Sequence, residues 1–506
     1  MAMKGGNRPD SSYSVELDKI FNPKNIAIVG VSSAGFGFGS GILLSLLAIG
    51  YKGKIYAVNK NGGEFFGFKL YKSVQDIPSE IDFAIISVPA ELVPASLEAC
   101  RLKGAAGAEI LSAGFRETGT AEGAKLEQEI KDISRKGIRV IGPNCFGIYC
   151  PKSGLTLLPG PDLSREEGPV AFLSQSGGMA IDLAHIGKWM GIRFSKVVSF
   201  GNGADLRETE LLEYLQHDPD TQVICMYIEG VEDGRRFFET LKKVAATKPV
   251  IVYKGGLSVS GHRAVESHTA SMGGNRIIWE SALRQSNAIQ VNDMYDMAHT
   301  ALGFSLIPPG KYSGVAVTGG GGALGVLSCD LAERFGLMLP ELENGISSKI
   351  MEALPKPGSS AKNPIDVANP MVHPSVLREA LVGAAQDTRI DIQVLIQLLY
   401  HYKSMAMGLG KPLKEVVPYM ELVDMIQEVR SGTGKPIVLV LPNLKRDNEN
   451  MDVEEIIRET RSKAVERNIP VFDDIKDAFK TIAYVSRYYS NTKIYKDKED
   501  ETKGSV

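Results

Sequence analysis

His268 stands in the run Glu266-Ser267-His268-Thr269-Ala270-Ser271-Met272-Gly273-Gly274, where small residues and glycine leave no apolar periodicity. Such a run reads as an exposed loop, and an imidazole on a mobile loop suits the carriage of a proton or a covalently held group. An acid, Glu229, closes the apolar run Cys225-Met226-Tyr227-Ile228 earlier in the chain. A carboxylate at the C-terminal edge of a parallel strand faces the ligand crevice. There it can hold one imidazole nitrogen, fix the tautomer and leave the other nitrogen free to attack phosphorus.

Two turns could hold the phosphoryl group. Leu173-Ser174-Gln175-Ser176-Gly177-Gly178 and Thr318-Gly319-Gly320-Gly321-Gly322-Ala323 each join a strand to a helix through Ser, Thr and Gly. Each offers backbone N–H donors and the positive end of a helix, with the hydroxyls of Ser174, Ser176 and Thr318 as further donors. The phosphate contacts expected are thus Ser174, Ser176, Gly177 and Gly178, opposed by Gly320, Gly321 and Gly322. Such a clamp supplies the positioning and charge stabilisation on which phosphoryl transfer depends.

A third glycine loop, Gly30-Val31-Ser32-Ser33-Ala34-Gly35-Phe36-Gly37, follows the apolar run Asn25-Ile26-Ala27-Ile28-Val29. It reads as a site for a phosphate-bearing ligand. NAD needs an acid near the end of the second strand, whereas this chain has Asn59-Lys60 there. Lysine suits an additional phosphate, such as the 3′-phosphate of coenzyme A or the 2′-phosphate of NADP. Other polar groups are read more plainly. Asp205, Glu208 and Glu210 form an acidic set at a helix N-terminus, Arg235 and Arg236 lie on a solvated helix face, and Cys145 is a small packed residue.

Buried-strand runs alternating with helical periodicity position these residues. They predict an α/β chain of three consecutive units: a Rossmann-like unit over 18–150 and two flavodoxin-like parallel-sheet units over 167–308 and 312–490. Residues 491–506 form a charged tail, read as disordered. The 506 residues are 43% hydrophobic and 23% charged with a net charge of −3, which gives no reason to expect nucleic acid or an anionic membrane as partner. Five scattered cysteines show neither metal spacing nor a disulfide framework. With a polar start and no bilayer-length apolar stretch, this reads as a cytoplasmic protein without a bound metal.

Taken together, these motifs resemble the NDP-forming acyl-CoA synthetases (ADP-forming acetyl-CoA synthetases) of the succinyl-CoA synthetase superfamily. Ser267-His268-Thr269 with Gly273 is similar to the phosphohistidine loop of that family. Gly142-Pro143-Asn144-Cys145-Phe146-Gly147, Ser174-Gln175-Ser176-Gly177, Phe200-Gly201-Asn202, Leu211-Leu212-Glu213-Tyr214-Leu215, Glu229-Gly230 and Pro364-Ile365-Asp366 are similar to its other signatures, in consistent order from about residue 18 to 490.

The resemblance implies acid + CoA + NTP ⇌ acyl-CoA + NDP + phosphate, through an acyl phosphate and a phosphohistidine. It implies phosphorylation of His268, orientation by Glu229, and a coenzyme A site lined by Gly30, Ser32, Ser33, Gly35, Lys60, Val88 and Pro89. No ATP-grasp module is visible in the sequence. The implied arrangement is therefore an α subunit that works with an ATP-grasp β subunit, as α2β2, with ATP or ADP and Mg2+ held on the partner and a small organic acid as substrate. Ala270 stands where the family has glycine after His-Thr, which stiffens the loop. Three alternatives are a nucleotide-independent acyl or carbamoyl transferase of the same fold, a non-catalytic coenzyme A sensor, and, least favoured, an NADP-dependent oxidoreductase.

Overall fold

Continuous Val, Ile and Ala runs make strands whose residues are buried on both faces, as parallel sheets covered by helices require. The computed structural model describes residues 17–35, 37–261, 263 and 275–492; His268 and the tail beyond 492 lie outside the described residues. Among the described residues the strands form three sheets.

The first sheet comprises β1 (Asn25–Val29), β2 (Lys54–Val58), β3 (Gly63–Phe65), β4 (Phe68–Tyr71), β5 (Phe83–Ile86), β6 (Gly107–Ile110) and β7 (Arg139–Ile141), in the order β3-β4-β2-β1-β5-β6-β7. All pairs are parallel except the hairpin β3–β4. The hairpin was not foreseen. Its turn is Phe66-Gly67, with φ of 51° and 81°. Two successive left-handed residues match the strand twist.

The second sheet comprises β8 (Gly147–Tyr149), β9 (Glu167–Ser174), β10 (Phe194–Ser199), β11 (Val223–Ile228), β12 (Val250–Lys254) and β13 (Ile289–Val291), in the order β13-β12-β11-β9-β10-β8. β8 runs antiparallel to β10 and belongs to this sheet, although the sequence reading assigned residues up to 150 to the first unit. These two sheets lie in one compact unit and share a hydrophobic core. Arg139 joins them through a bidentate ion pair with Asp205 (2.8 and 3.0 Å), and Asn202 donates to both Glu117 (2.6 Å) and Glu127 (3.0 Å). Asp205 is therefore an anchor between sheets. Of the expected acidic set, only Glu208 and Glu210 occupy the first turn of the helix Glu208–His217.

The third sheet lies in the other compact unit, with a core of its own. It comprises β14 (Val315–Gly319), β15 (Ile365–Asp366), β16 (Ile392–Ile396), β17 (Ile437–Val440) and β18 (Val471–Phe472), all parallel, in the order β15-β14-β16-β17-β18. The final helix, Ile475–Asn491, continues into the start of the expected tail. No helix among the described residues is long and apolar enough to cross a membrane.

Candidate active site

In each sheet one strand lies between two strands that both follow it in the chain, so the connections leave it toward opposite sides of the sheet. β1 lies between β2 and β5, β9 between β10 and β11, and β14 between β15 and β16. Such reversals open a crevice at the carboxyl ends of the strands, where α/β sheets bind ligands. All three glycine turns read from the sequence fall at these reversals.

At the first reversal, Gly30 follows β1 while Val88 and Pro89 follow β5, and Lys60 is exposed beyond the end of β2. Gly30 has φ of 107°, and a Cβ there would stand 2.6 Å from Ser87 O, so only glycine allows the two strand ends to approach. Much of the loop is bonded to itself. The amides of Gly30 and Val31 donate to Val58 O (3.0 and 3.2 Å), that of Ser32 to Ser40 Oγ (3.0 Å), and that of Gly35 to Ser32 O (3.1 Å). This leaves the amides opening the helix Phe38–Ile49, which point out of its N-terminal end, as the candidate donors to an anion. Gly30→Ala should weaken coenzyme A binding by at least about tenfold. Isothermal titration calorimetry of the variant beside the wild type checks this.

At the second reversal, Ser174 is fully buried, its hydroxyl donating to Ser176 O (2.6 Å) and accepting the Ser176 N–H (3.2 Å). Ser174 therefore shapes the turn, and its hydroxyl is not a donor to an external anion as the sequence reading had it. Ser176 Oγ accepts the Met179 N–H (3.4 Å), and the helix Gly177–Met190 begins there. A Cβ at Gly177 would lie 2.7 Å from the Phe146 ring, while Gly178 is open.

Glu229 follows β11, the strand paired with β9. It is buried; Oε1 accepts the Tyr227 hydroxyl (3.1 Å), whereas Oε2 has no hydrogen-bond partner among the described residues. Gln175 ties the turn to this acid, its Oε1 accepting the N–H groups of Glu229 (2.8 Å) and Gly230 (3.2 Å). On the other side, Lys254 Nζ donates to Glu229 O (2.8 Å). The sequence reading named neither Gln175 nor Lys254 as a site residue. Burial and the Glu229 carboxylate both raise the Tyr227 hydroxyl far above the usual phenol range, so it remains a donor to that carboxylate.

At the third reversal, a Cβ at Gly320 would lie 2.8 Å from Pro370 Cα and N, so the glycine permits a close backbone approach. Gly321, with φ of 122°, donates its N–H to Asp366 Oδ1 (3.1 Å), and Asp366 also accepts the Ala368 N–H (2.8 Å). One amide of this turn is therefore already matched to a carboxylate, leaving Gly322 and its successors at the start of the helix Gly322–Phe335. Thr318 Oγ1 is buried and unpartnered among the described residues. A cavity of about 260 Å3 adjoins the turn, lined by Gly321, Gly322, Leu324, Val326, Pro364 and Asp366.

Cys145 is buried, its thiol donating to Ile110 O (3.3 Å), and burial raises it well beyond the range of a reactive thiol. Among the described residues no group of three or more His, Cys, Asp or Glu side chains is placed to hold a metal.

A CoA binding domain family matches residues 24–151, and the family described as the succinyl-CoA ligase like flavodoxin domain matches residues 167–304. Together with the glycine turns at the sheet reversals, these matches define a ligase of the succinyl-CoA synthetase type. The chain is 35% identical over 483 residues to the Acetate–CoA ligase [ADP-forming] I subunit alpha of Pyrococcus furiosus, covering 94% of this chain and 98% of that one. It is 34% identical to Acetate–CoA ligase [ADP-forming] I of Archaeoglobus fulgidus, covering 96% of this chain but 65% of that longer one. The solved dinucleotide forming acetyl-coenzyme A synthetase 1 of Ca. Korarchaeum cryptofilum, in complex with phosphate and ADP, superimposes with a TM-score of 0.79 at 29% identity, covering 95% and 98% of the two chains. The chain belongs to the family of ADP-forming acyl-CoA synthetase α subunits.

Proposed function

We propose that this chain is the coenzyme A-binding, phosphohistidine-carrying subunit of an ADP-forming acyl-CoA synthetase. In the direction of acid release, phosphate attacks the acyl carbonyl of acyl-CoA, the C–S bond breaks, and CoA leaves as the thiol with an acyl phosphate formed. An imidazole nitrogen of His268 then attacks phosphorus, the P–O bond to the acyl oxygen breaks, and the acid departs as carboxylate. Transfer of the phosphoryl group from His268 to NDP restores the imidazole.

The observation that carries this reading is Glu229. It is a buried carboxylate at the edge of a ligand crevice, with one oxygen unpartnered among the described residues and a glycine turn bound to its backbone. Such an oxygen fits an imidazole N–H donor. The helix start at 176–178 supports phosphate binding, and the loop after β1 with Val88, Pro89 and Lys60 supports coenzyme A. Coverage of 98% of a relative named subunit alpha supports a partner subunit, here an ATP-grasp β subunit in an α2β2 assembly. In that assembly the partner holds ATP or ADP with Mg2+, and a cytoplasmic location follows from the use of coenzyme A and nucleotide.

The test is intact-mass and phosphopeptide analysis at neutral pH. The chain is incubated with a panel of acyl-CoAs plus phosphate, and separately with an ATP-grasp subunit plus ATP, each beside His268→Ala. One phosphoryl group on His268, absent from the variant, is the expected result, and the most effective acyl-CoA identifies the acid. Coenzyme A binding without phosphorylation under either condition would point instead to a nucleotide-independent transferase or a sensor.

A further inference from the structure

Lys254 ends β12 with its side chain 3% exposed. Its ammonium donates to Glu229 O (2.8 Å) and to Gly255 O, and it lies over the Trp279 ring, 5.1 Å from the centroid. Burying a cation is costly, and an aliphatic side chain would pack against Trp279 without that cost. Nor does strand pairing need the charge. β11 and β12 are joined by a parallel ladder running from Ile224↔Val250 to Ile228↔Lys254, and Gly255 N donates to Ile228 O (2.9 Å).

What the ammonium adds lies just past the ladder. There it binds the main-chain carbonyl of Glu229 while Gln175 binds the amide of the same residue. Glu229 is thereby held on both sides of its backbone, and a positive charge is kept near its carboxylate in a water-poor site. We propose that Lys254 is a positioning residue for phosphoryl transfer: through the carbonyls of Glu229 and Gly255 its ammonium sets the place of the Glu229 carboxylate in the crevice. The inference rests on the reading that Glu229 accepts from the imidazole of His268.

The charged group acting on Lys254 among the described residues is Glu229, just past β11, while the helix Arg276–Gln285 presents the uncharged Trp279 ring. Burial lowers the ammonium to about 8, against the attraction of Glu229. Its charge therefore falls away as pH rises through that value, and an arginine, charged throughout, would keep it.

The test measures single-turnover phosphorylation of the full chain by acyl-CoA plus phosphate between about pH 6.5 and 9.5, for wild type, Lys254→Met and Lys254→Arg. Lys254→Met should slow the reaction about 10- to 100-fold at neutral pH, with coenzyme A affinity unchanged. Lys254→Arg should recover most of the rate and move the alkaline limb to higher pH. A Lys254→Met rate within about twofold of wild type would overturn the proposal. So would an alkaline limb at the same pH in wild type and Lys254→Arg, and that comparison decides alone if circular dichroism shows Lys254→Met unfolded. If wild type takes up no phosphoryl group, or Glu229→Gln is as fast as wild type, the reading of the site itself fails and this inference fails with it.

Discussion

Glu229→Gln is expected to slow phosphorylation of His268 by about 10²- to 10³-fold while leaving coenzyme A affinity within about twofold of wild type. The carboxylate offers acceptor capacity on both oxygens. Oε1 takes the Tyr227 hydroxyl, and Oε2 is free among the described residues to receive an imidazole N–H. An amide of the same shape can satisfy only one of these donors with its oxygen. If the oxygen keeps Tyr227, the NH2 group meets the imidazole N–H donor to donor. If it turns, Tyr227 must rotate to accept. Either way the negative charge that would stabilise a developing imidazolium is gone, in a site where burial strengthens that interaction. Coenzyme A is expected at another sheet, so its affinity is the internal control, measured by calorimetry beside rapid-quench phosphorylation. Glu229→Asp should fall between the two, because it keeps the charge and shortens the reach. A Glu229→Gln rate equal to wild type would remove this residue from the machinery.

How far the sequence disclosed this arrangement depended on which contacts are local. β1, β9, β11, β12, β14 and β16 were visible because strands buried on both faces read as unbroken Val and Ile runs. The turns at 30–35, 174–178 and 319–322 were visible because a backbone that leaves a strand for a helix at a ligand crevice needs glycine. Several of the short strands were not. Two-residue β15 and β18 and three-residue β8 and β13 carry too little pattern, and the β3–β4 turn uses Phe66-Gly67 where a sequence reader expects Asn-Gly.

Polar roles were misread where the partner is distant in sequence. Asp205 looked like a helix-start acid until Arg139 was placed beside it. Ser174 looked like an anion donor, but its hydroxyl closes the turn. Gln175 and Lys254 act on the amide and carbonyl of Glu229, and backbone groups leave no trace in residue type.

Glu109 is another polar group whose partner is distant in sequence, and it gives the largest expected effect on stability. The run Gly107-Ala108-Glu109-Ile110 is β6, and all four of its residues, the acid included, are buried. The carboxyl reaches from the first sheet to the second, where Oε2 accepts the Ile148 N–H of β8 (3.0 Å). A Cβ on Gly147 would lie 2.5 Å from that oxygen, so the glycine makes room for the acid. Burial pushes the carboxyl up to about 8, with the Ile148 N–H opposing the shift. In the folded protein the group therefore keeps a proton that the unfolded chain releases from about pH 4.5 upward, and native stability falls as pH rises through that window until both states are ionised above about 8.

Glu109→Gln stays neutral, keeps an oxygen for Ile148, and should not show that loss. Its stability relative to wild type should grow by several kcal/mol between about pH 5 and pH 8.5, on the order of 4 kcal/mol if the shift is fully expressed. Lys254 works in the opposite sense, since its lowered value makes stability rise above about pH 8. The difference between the two proteins, taken from urea melts at each pH, cancels that contribution because both retain Lys254. A constant difference across the range would mean that the Glu109 carboxyl is already ionised in the folded state, and that solvent or another donor supports its charge between the two sheets.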